Sequence, residues 1–382
     1  MNSEEILIEL AEKYIKILGN AGYIPGGHNG PYLDEETPVR SCSHWISIFA
    51  YLHLKTNKIK YYQALNKCAE FLLSKAARPM DEVFFCRKNP NKDFSNGLMG
   101  QAWGIEGLVT AYEFTKNDVF LDLAADIFLK HPFDCRLGLW KTVNVDGSYS
   151  NYDITFNHQL WFAATASLIV KHTQNETIVG RINVFMKKIK LNLRCYNNGL
   201  IKHKVIYHSS FIKSLLQSVY LLQVNVKAIF SKKSMKYKEN GYHIFNLYAF
   251  AILKSSDRYN DFFKSSLFKK ILFYTFSNKH KKMLDSSNHK SDLSRGILPL
   301  KKVEINRYGY GYNAPGFELP YIFRVFNYRI GEIDGVIEKQ INLTFDSLKV
   351  SFCNNTEDTL TLDSRMYELI RYLELEDKKH DK

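Results

Sequence analysis

The sequence lacks any apolar stretch near the ~18 residues needed to cross a bilayer as a helix, so no membrane span is expected. GxGxxG and P-loop patterns are missing too, and with them the usual cradles for a nucleotide cofactor. Its six cysteines, at 42, 68, 86, 135, 195 and 353, are never spaced as CxxC, and no HxxxH or HExxH occurs. Neither a metal nor any other cofactor is therefore expected, and the cysteines read as reduced residues in apolar, helical contexts. The first residues, Met1-Asn2-Ser3-Glu4-Glu5, are acidic where a secretory leader would be basic. Together these features point to a cytoplasmic location.

Acidic residues are also in deficit, 39 against 52 Lys and Arg, for a formal charge of +13. Part of the excess lies in runs such as Lys187-Lys188-Ile189-Lys190 and Lys279-His280-Lys281-Lys282. Such runs are usually solvated faces, and the alternative is a polyanionic partner. Zinc-ligand spacing, RNP-like segments and basic heptad helices are missing, so an acidic polysaccharide or oligosaccharide fits better than nucleic acid. Nothing in the pattern indicates the oligomeric state.

What the chain has in abundance is aromatic surface, 24 Tyr and 26 Phe among 382 residues. Flat rings with polar tips suit sugar rings as well as cores. Three stretches join a polar-aromatic head to an apolar helical body: Arg40 to Leu54 with His44 and Trp45, Asn96 to Tyr112 with Gln101 and Trp103, and Thr155 to Val170 with Asn157, His158, Gln159 and Trp161. The tryptophans at 45, 103 and 161 are separated by 58 residues each time, the mark of a structural repeat.

The chain in order strengthens that reading. Helices are predicted at about 3–18, 43–55, 60–75, 98–115, 118–130, 156–171 and 176–191, with long connectors alternating with short turns. The connector 20–40 reads as a long loop, and Leu139 to Gly147 as a hairpin. Leu200 to Ile206 reads as extended, with a helix from Tyr207 to about Phe230 and a basic connector to Asn240. A further polar-aromatic head, Gly241-Tyr242-His243, opens the next helix, and its partner follows at about 258–275. Asp285 to Leu300 reads as a polar loop, and a glycine-tyrosine segment from Arg307 leads into a helix over about 317–327. The tail is expected to hold strands at 341–342 and 347–352 and a last helix near 364–373. About six helix hairpins of this kind describe an all-α (α/α)6-type toroid over 1–330, with 331–382 packed on it, in which the heads of the inner helices converge on one cleft.

That convergence nominates the site. Asn157 and His158 set an amide and a titratable ring at a helix N-terminus, and Tyr242 with His243 supply a phenol and a second ring. His44, Trp45, Gln101, Trp103, Gln159, Trp161 and Glu318 fall at other helix heads as substrate-binding candidates. Arg307, Tyr308 and Tyr310, with Tyr312, form a prospective sugar-stacking wall. The acids Asp34, Glu35, Asp146, Asp153 and Glu318 lie in rim loops or at heads and could form a hydrolytic pair.

The words FNHQLWFAATASL and GYHIFNLYAF resemble the Asn-Asn-His-x-x-Trp-x-Ala segment and the Tyr-His-led helix head of alginate lyases and, more loosely, the toroid of heparinase II/III-type lyases. The resemblance implies β-elimination beside a uronate, with Asn157 polarising the carboxyl and His158 and Tyr242 sharing the acid and base roles. It departs where Phe156 replaces the family's first Asn. Tyr207 is a second position for the tyrosine, and Arg307 and Arg40 are positions for the arginine. Those lyases are normally exported, and this chain shows no export signal. An epimerase similar to the N-acylglucosamine 2-epimerase type would instead use two histidines, His158 and His243. A hydrolase or a non-catalytic glycan-binding protein of polysaccharide assembly completes the alternatives.

Overall fold

The computed structural model describes residues 2–29, 34–205, 238–256, 258–285, 288–289, 304–305, 314–356 and 359–380. The helix expected from Tyr207 and the segment holding Arg307, Tyr308, Tyr310 and Tyr312 lie outside these.

Helix α1 spans Ser3–Ala21. Its N-cap is Asn2, one residue earlier than a Ser3 cap would give: the Asn2 side chain accepts from the Glu5 N–H and Glu5 accepts from the Asn2 N–H, closing a capping box. The helix runs past Gly19 and stops at Gly22, whose φ of 78° releases the chain. Between it and α2 (Pro38–Thr56) the expected loop contains a two-residue hairpin, β1 (His28–Asn29) with β2 (Asp34–Glu35), and Pro38 starts α2 earlier than its apolar pattern does.

The next helices follow the sequence closely: α3 (Ile59–Leu73), α4 (Gly97–Thr115), α5 (Asp118–Lys130), α6 (Phe156–Ile169) and α7 (Glu176–Asn192). The hairpin between α5 and α6 has a third strand, in the order β3 (Phe133–Asp134), β4 (Leu139–Val143) and β5 (Tyr149–Tyr152). Residues 201–204 make isolated bridges to Cys195 and Thr155 in place of a continuous strand. Helix α8 covers 238–254. Its partner is broken at Ser265 into α9 (Asn260–Lys264) and α10 (Ser266–Thr275), and an additional helix, α11 (Asn278–Asp285), precedes the two-residue pair β6 (Asn288–His289) and β7 (Glu304–Ile305). Then come α12 (Pro315–Val325), α13 (Ile333–Thr344), α14 (Thr359–Ser364) and α15 (Tyr367–His380). The tail strands expected at 341–342 and 347–352 are not formed: the first lies in α13, and the second is an Asp346–Ser351 bridge around a turn.

These helices make an all-α toroid. An inner ring runs α2, α4, α6, α8, α12, α15 and returns to α2. Its closure is visible in single contacts: Trp161 of α6 donates to the Phe245 carbonyl of α8 at 3.1 Å, Tyr248 of α8 meets Tyr321 of α12 at 5.2 Å, and α15 packs between α12 and α2. The outer helices α1, α3, α5, α7, α10 and α13 each precede an inner one. Inner helices such as α4 and α6 are buried nearly all round, as a stave covered on both sides must be.

The three tryptophans at 58-residue intervals occupy equivalent places on α2, α4 and α6 and are buried core residues. Gln101 and Gln159, also 58 apart, repeat one device. Each holds the backbone of the preceding connector with both ends of its amide: Gln101 accepts from the Phe84 N–H at 2.8 Å and donates to the Phe84 carbonyl at 3.0 Å, while Gln159 does the same to Trp140 at 3.0 and 2.8 Å. Two good bonds to one buried residue's N–H and carbonyl satisfy both ends of the amide, which explains a buried glutamine without a ligand.

Candidate functional site

A cleft of about 930 Å³ opens where the heads of α4, α6 and α8 meet the β4–β5 hairpin and the 201–205 segment. His158 stands on the first turn of α6, and its Nδ1 is 2.8 Å from Asp153 Oδ2. Asp153 lies in the strand-to-helix connector with its side chain 8% exposed and accepts the Thr155 N–H at 3.0 Å and the Leu98 N–H at 3.1 Å. The second of these comes from the start of α4, where the helix dipole favours an anion. Burial pushes the Asp153 carboxyl up, but the charge of His158, their hydrogen bond and the two amides outweigh it and hold the group below the ordinary carboxylate range. The dyad fixes which ring nitrogen of His158 faces the carboxylate, and leaves Nε2 for the cleft.

Gly97 makes room for this pair. Its φ is 57°, and a Cβ there would come within 2.9 Å of His158 Nδ1 and closer still to Asp153 Oδ2. The Gly97 N–H in turn donates to Asp93 Oδ1 at 2.6 Å. Successive amides at the head of α4 therefore gather two carboxylates, Asp93 and Asp153. Asp93 also pairs with Arg87, whose guanidinium reaches Asn96.

Across from His158, Tyr242 on α8 stacks on His203, rings 5.3 Å apart and 9° from parallel. Burial, then the nearby charges of His158 and Lys204, push the His203 imidazole down to about 3, so it is neutral. Lys238, also on α8, is lowered by burial to about 8. With Arg87, Lys92 and Lys141 it gives the lining a cationic bias. Among the described residues, no group of three His, Cys, Asp or Glu side chains is placed to hold a metal ion.

The sequence candidates divide into three groups. His158 on α6 and Tyr242 on α8 both line the cleft. His243 does not join them. It is fully buried on the opposite side of α8, its Nδ1 accepting the Ile201 N–H at 3.4 Å and its Nε2 3.1 Å from the Ile271 carbonyl of α10, with burial and His280 pushing it well below the usual histidine range. Asn157 is buried one residue away from His158 and does not line the cleft. Gln101, Gln159, Trp45, Trp103 and Trp161 belong to the core, as described above. Of the rim acids, Asp34 and Glu35 pair with Lys92 and Lys88, and Asp146 closes a turn through the Ser148 N–H. Cys135 is exposed, unlike the buried Cys42, Cys68 and Cys86, and all six cysteines are free.

The remaining candidates, His44 and Glu318, sit deeper, at the centre of the inner ring. Arg365 reaches Glu318 at 2.9 Å and Glu368 at 2.6 Å, Arg371 reaches Glu106 at 2.8 Å, and Arg40 pairs with Glu36 at 3.3 Å while lying 4.3 Å from the Trp103 ring. His44 stacks on Tyr367 at 3.8 Å. Burial pushes Glu318 and Glu368 up, Glu368 to about 7, against the pull of Arg365. Among the described residues several polar atoms here have no hydrogen-bond partner, including Arg365 Nε and Nη1, Glu318 Oε2, both nitrogens of His44 and the Tyr367 hydroxyl.

Asp153, His203, Lys238 and Gly97 are the site features that pattern reading underweighted. For Asp153 a local signal existed: an Asp two residues before the Thr that begins a helix is a turn former that also reaches the first helical turn.

No family model matches the chain. Over 379 residues it is 35% identical to archaeal glycosylation protein Q of Haloferax volcanii, with 96% of each chain covered. Among solved structures it superposes on cellobiose 2-epimerase of Spirochaeta thermophila with a TM-score of 0.59 at 14% identity, covering 97% of both chains. A D-mannose isomerase gives 0.58 at 14% identity over 96% of this chain and 98% of that one. An unsaturated glucuronyl hydrolase specific for heparin gives 0.58 at 12% over 98% and 99%. At these identities the likeness is one of fold, the toroid itself.

Proposed function

The chain belongs to the family of archaeal glycosylation protein Q, and from that membership and the cleft we infer that it is a carbohydrate-active enzyme that epimerises or isomerises a sugar of a glycan or its precursor. The observation that carries this reading is the His158–Asp153 pair opposite Tyr242. His158 Nε2 takes the proton from the carbon next to the sugar's open-chain carbonyl. The C–H electrons form the carbon–carbon double bond of an enediolate, and the carbonyl electrons move to oxygen. Tyr242 supplies the proton on the other face, and the carbonyl re-forms as the enediolate collapses. Asp153 keeps the imidazole oriented and stabilises the charge it gains. The cationic lining favours a sugar bearing a carboxylate, so an acidic sugar is the preferred substrate class.

β-Elimination, the chemistry implied by the lyase-like words, is less well supported. Asn157, which would polarise the carboxyl, lies outside the cleft lining, and the 35%-identical relative is named as a glycosylation protein. Hydrolysis is favoured by one feature, the approach of Asp93 and Asp153 to successive amides of α4. Inverting or retaining hydrolysis needs one carboxyl kept protonated. Asp153 is held below the ordinary carboxylate range and Asp93 is tied to Arg87, so neither suits that role.

The test is proton exchange. Incubated in D2O with a panel of hexoses, hexuronic acids and their disaccharides, the protein should introduce deuterium beside the carbonyl of its substrate, seen by NMR, and His158→Ala should not. New reducing ends without exchange would establish the hydrolase. Absorbance of an unsaturated uronate would establish the lyase.

A further inference from the structure

The charged residues that line two depressions on the outer ring are mainly cations. A groove of about 580 Å³ between α7 and α9 is bounded by Lys187, Lys190 and Arg258, with Asp261 the acid among its described lining residues. A second depression of about 470 Å³ along α10 has Lys269, Lys270 and Lys279 around Phe273 and no carboxylate among its described lining. The two are joined by the segment that leaves α7. Its Asn198 lines the second depression, and its Gly199 lies so close to the Lys270 carbonyl that a Cβ would collide with it.

Two observations separate this surface from an ordinary solvated face. Lys187, Lys190, Arg258, Lys269, Lys270 and Lys279 line the two depressions against one described acid, Asp261, and none of the six forms an ion pair with a described carboxylate. Large apolar side chains are interleaved with them: Leu191, at the end of α7, is 70% exposed and Phe273 is 57% exposed. Unpaired cations whose aliphatic stems flank protruding apolar tips suit the boundary between phosphate headgroups and acyl chains. A single-stranded polyanion would instead call for several stacking rings. Phe273 is the exposed ring here, and its edge is engaged by Tyr328 at 6.0 Å.

We propose that the face built by α7, α9 and α10 docks the protein on an anionic lipid surface, with Lys187, Lys190, Arg258, Lys269 and Lys270 taking headgroup phosphates while Leu191 and Phe273 enter the acyl boundary. This surface is independent of the cleft chemistry. It would place the enzyme beside substrates carried on a membrane without any spanning helix, and among the described residues no helix is long and apolar enough to span one.

The experiment is co-sedimentation of the full chain with phosphatidylcholine vesicles with and without phosphatidylglycerol. Binding is expected only with phosphatidylglycerol and should weaken as salt rises. The variant K187Q/K190Q/R258Q should lower partition about a hundredfold, roughly fivefold per charge removed. Leu191→Ser with Phe273→Ser should also lower it while leaving its salt dependence in place. Equal binding to neutral vesicles, or a triple variant that binds as well as the parent, would overturn the proposal. Retention on heparin without any vesicle binding would overturn it in favour of a soluble polyanion.

Discussion

The cleft and the ring centre are both rich in charge, and they treat it in opposite ways. At the cleft each ionised group has a partner that leaves one reactive atom exposed: Asp153 is satisfied by His158 and two amides, and His158 keeps Nε2 for solvent or substrate. At the centre Arg365 is shared by Glu318 and Glu368 in full burial, and among the described residues several donors and acceptors are left unpaired. Perturbed groups alone would nominate the centre as the site. Satisfied geometry with one free atom nominates the cleft, and that is the better guide here.

The largest expected effect sharpens this contrast. Arg365→Met leaves two carboxylates buried without their counter-charge and should cost about 3–5 kcal/mol of stability, read by urea unfolding. His158→Ala leaves Asp153 its two amide donors and should cost less, about 1–3 kcal/mol, while cutting isotope exchange by about 10²–10⁴-fold. Equal stability losses from the two would erase the distinction.

pH separates the regions more finely, because their linkages have opposite signs. Glu318 and Glu368 titrate higher in the folded protein, so between about 4.5 and 7 the folded state binds more protons than the unfolded one. Their contribution to stability should therefore fall as pH rises through that window, and Glu368→Gln should flatten the slope. Asp153 titrates lower when folded, so its contribution is present above the unfolded value and is lost as pH falls through the folded one. Asp153→Asn should remove that acid-side loss and leave the slope between 4.5 and 7 alone. The smallest effect belongs to the core: Gln159→Ala takes the acceptor from the buried Trp140 N–H, leaving its carbonyl the Asp153 N–H, and should cost about 1–3 kcal/mol, without changing the pH profile of exchange.

The ring was legible because its signals are local and repeat. Tryptophans at 45, 103 and 161 mark the inner staves, and most helix ends fall within a few residues of the pattern that announces them. Site assignment failed where helix phase decides. His158 and His243 both follow a polar residue at a helix head, but α8 presents Tyr242 to the cleft and turns His243 toward α10. One residue is about 100° of rotation, which a list of heads does not record. The partners of Arg365 were out of reach for another reason: Glu318 is 47 residues away in the chain and becomes its neighbour only when the ring closes. His203 lies in the short segment read as extended, where no helix head marks it, and its stacking on Tyr242 is what gives it a role.

Closure of the ring also sets a timetable. Helix α15 fills the gap between α12 and α2, and its Asp377 reaches Lys55, 322 residues earlier. During synthesis the first staves emerge with their inner faces waiting for a neighbour that is translated 322 residues later. Until it arrives, α2 exposes the surface that α15 will cover, and the nascent chain is a broken hoop that must be kept from joining another of its kind.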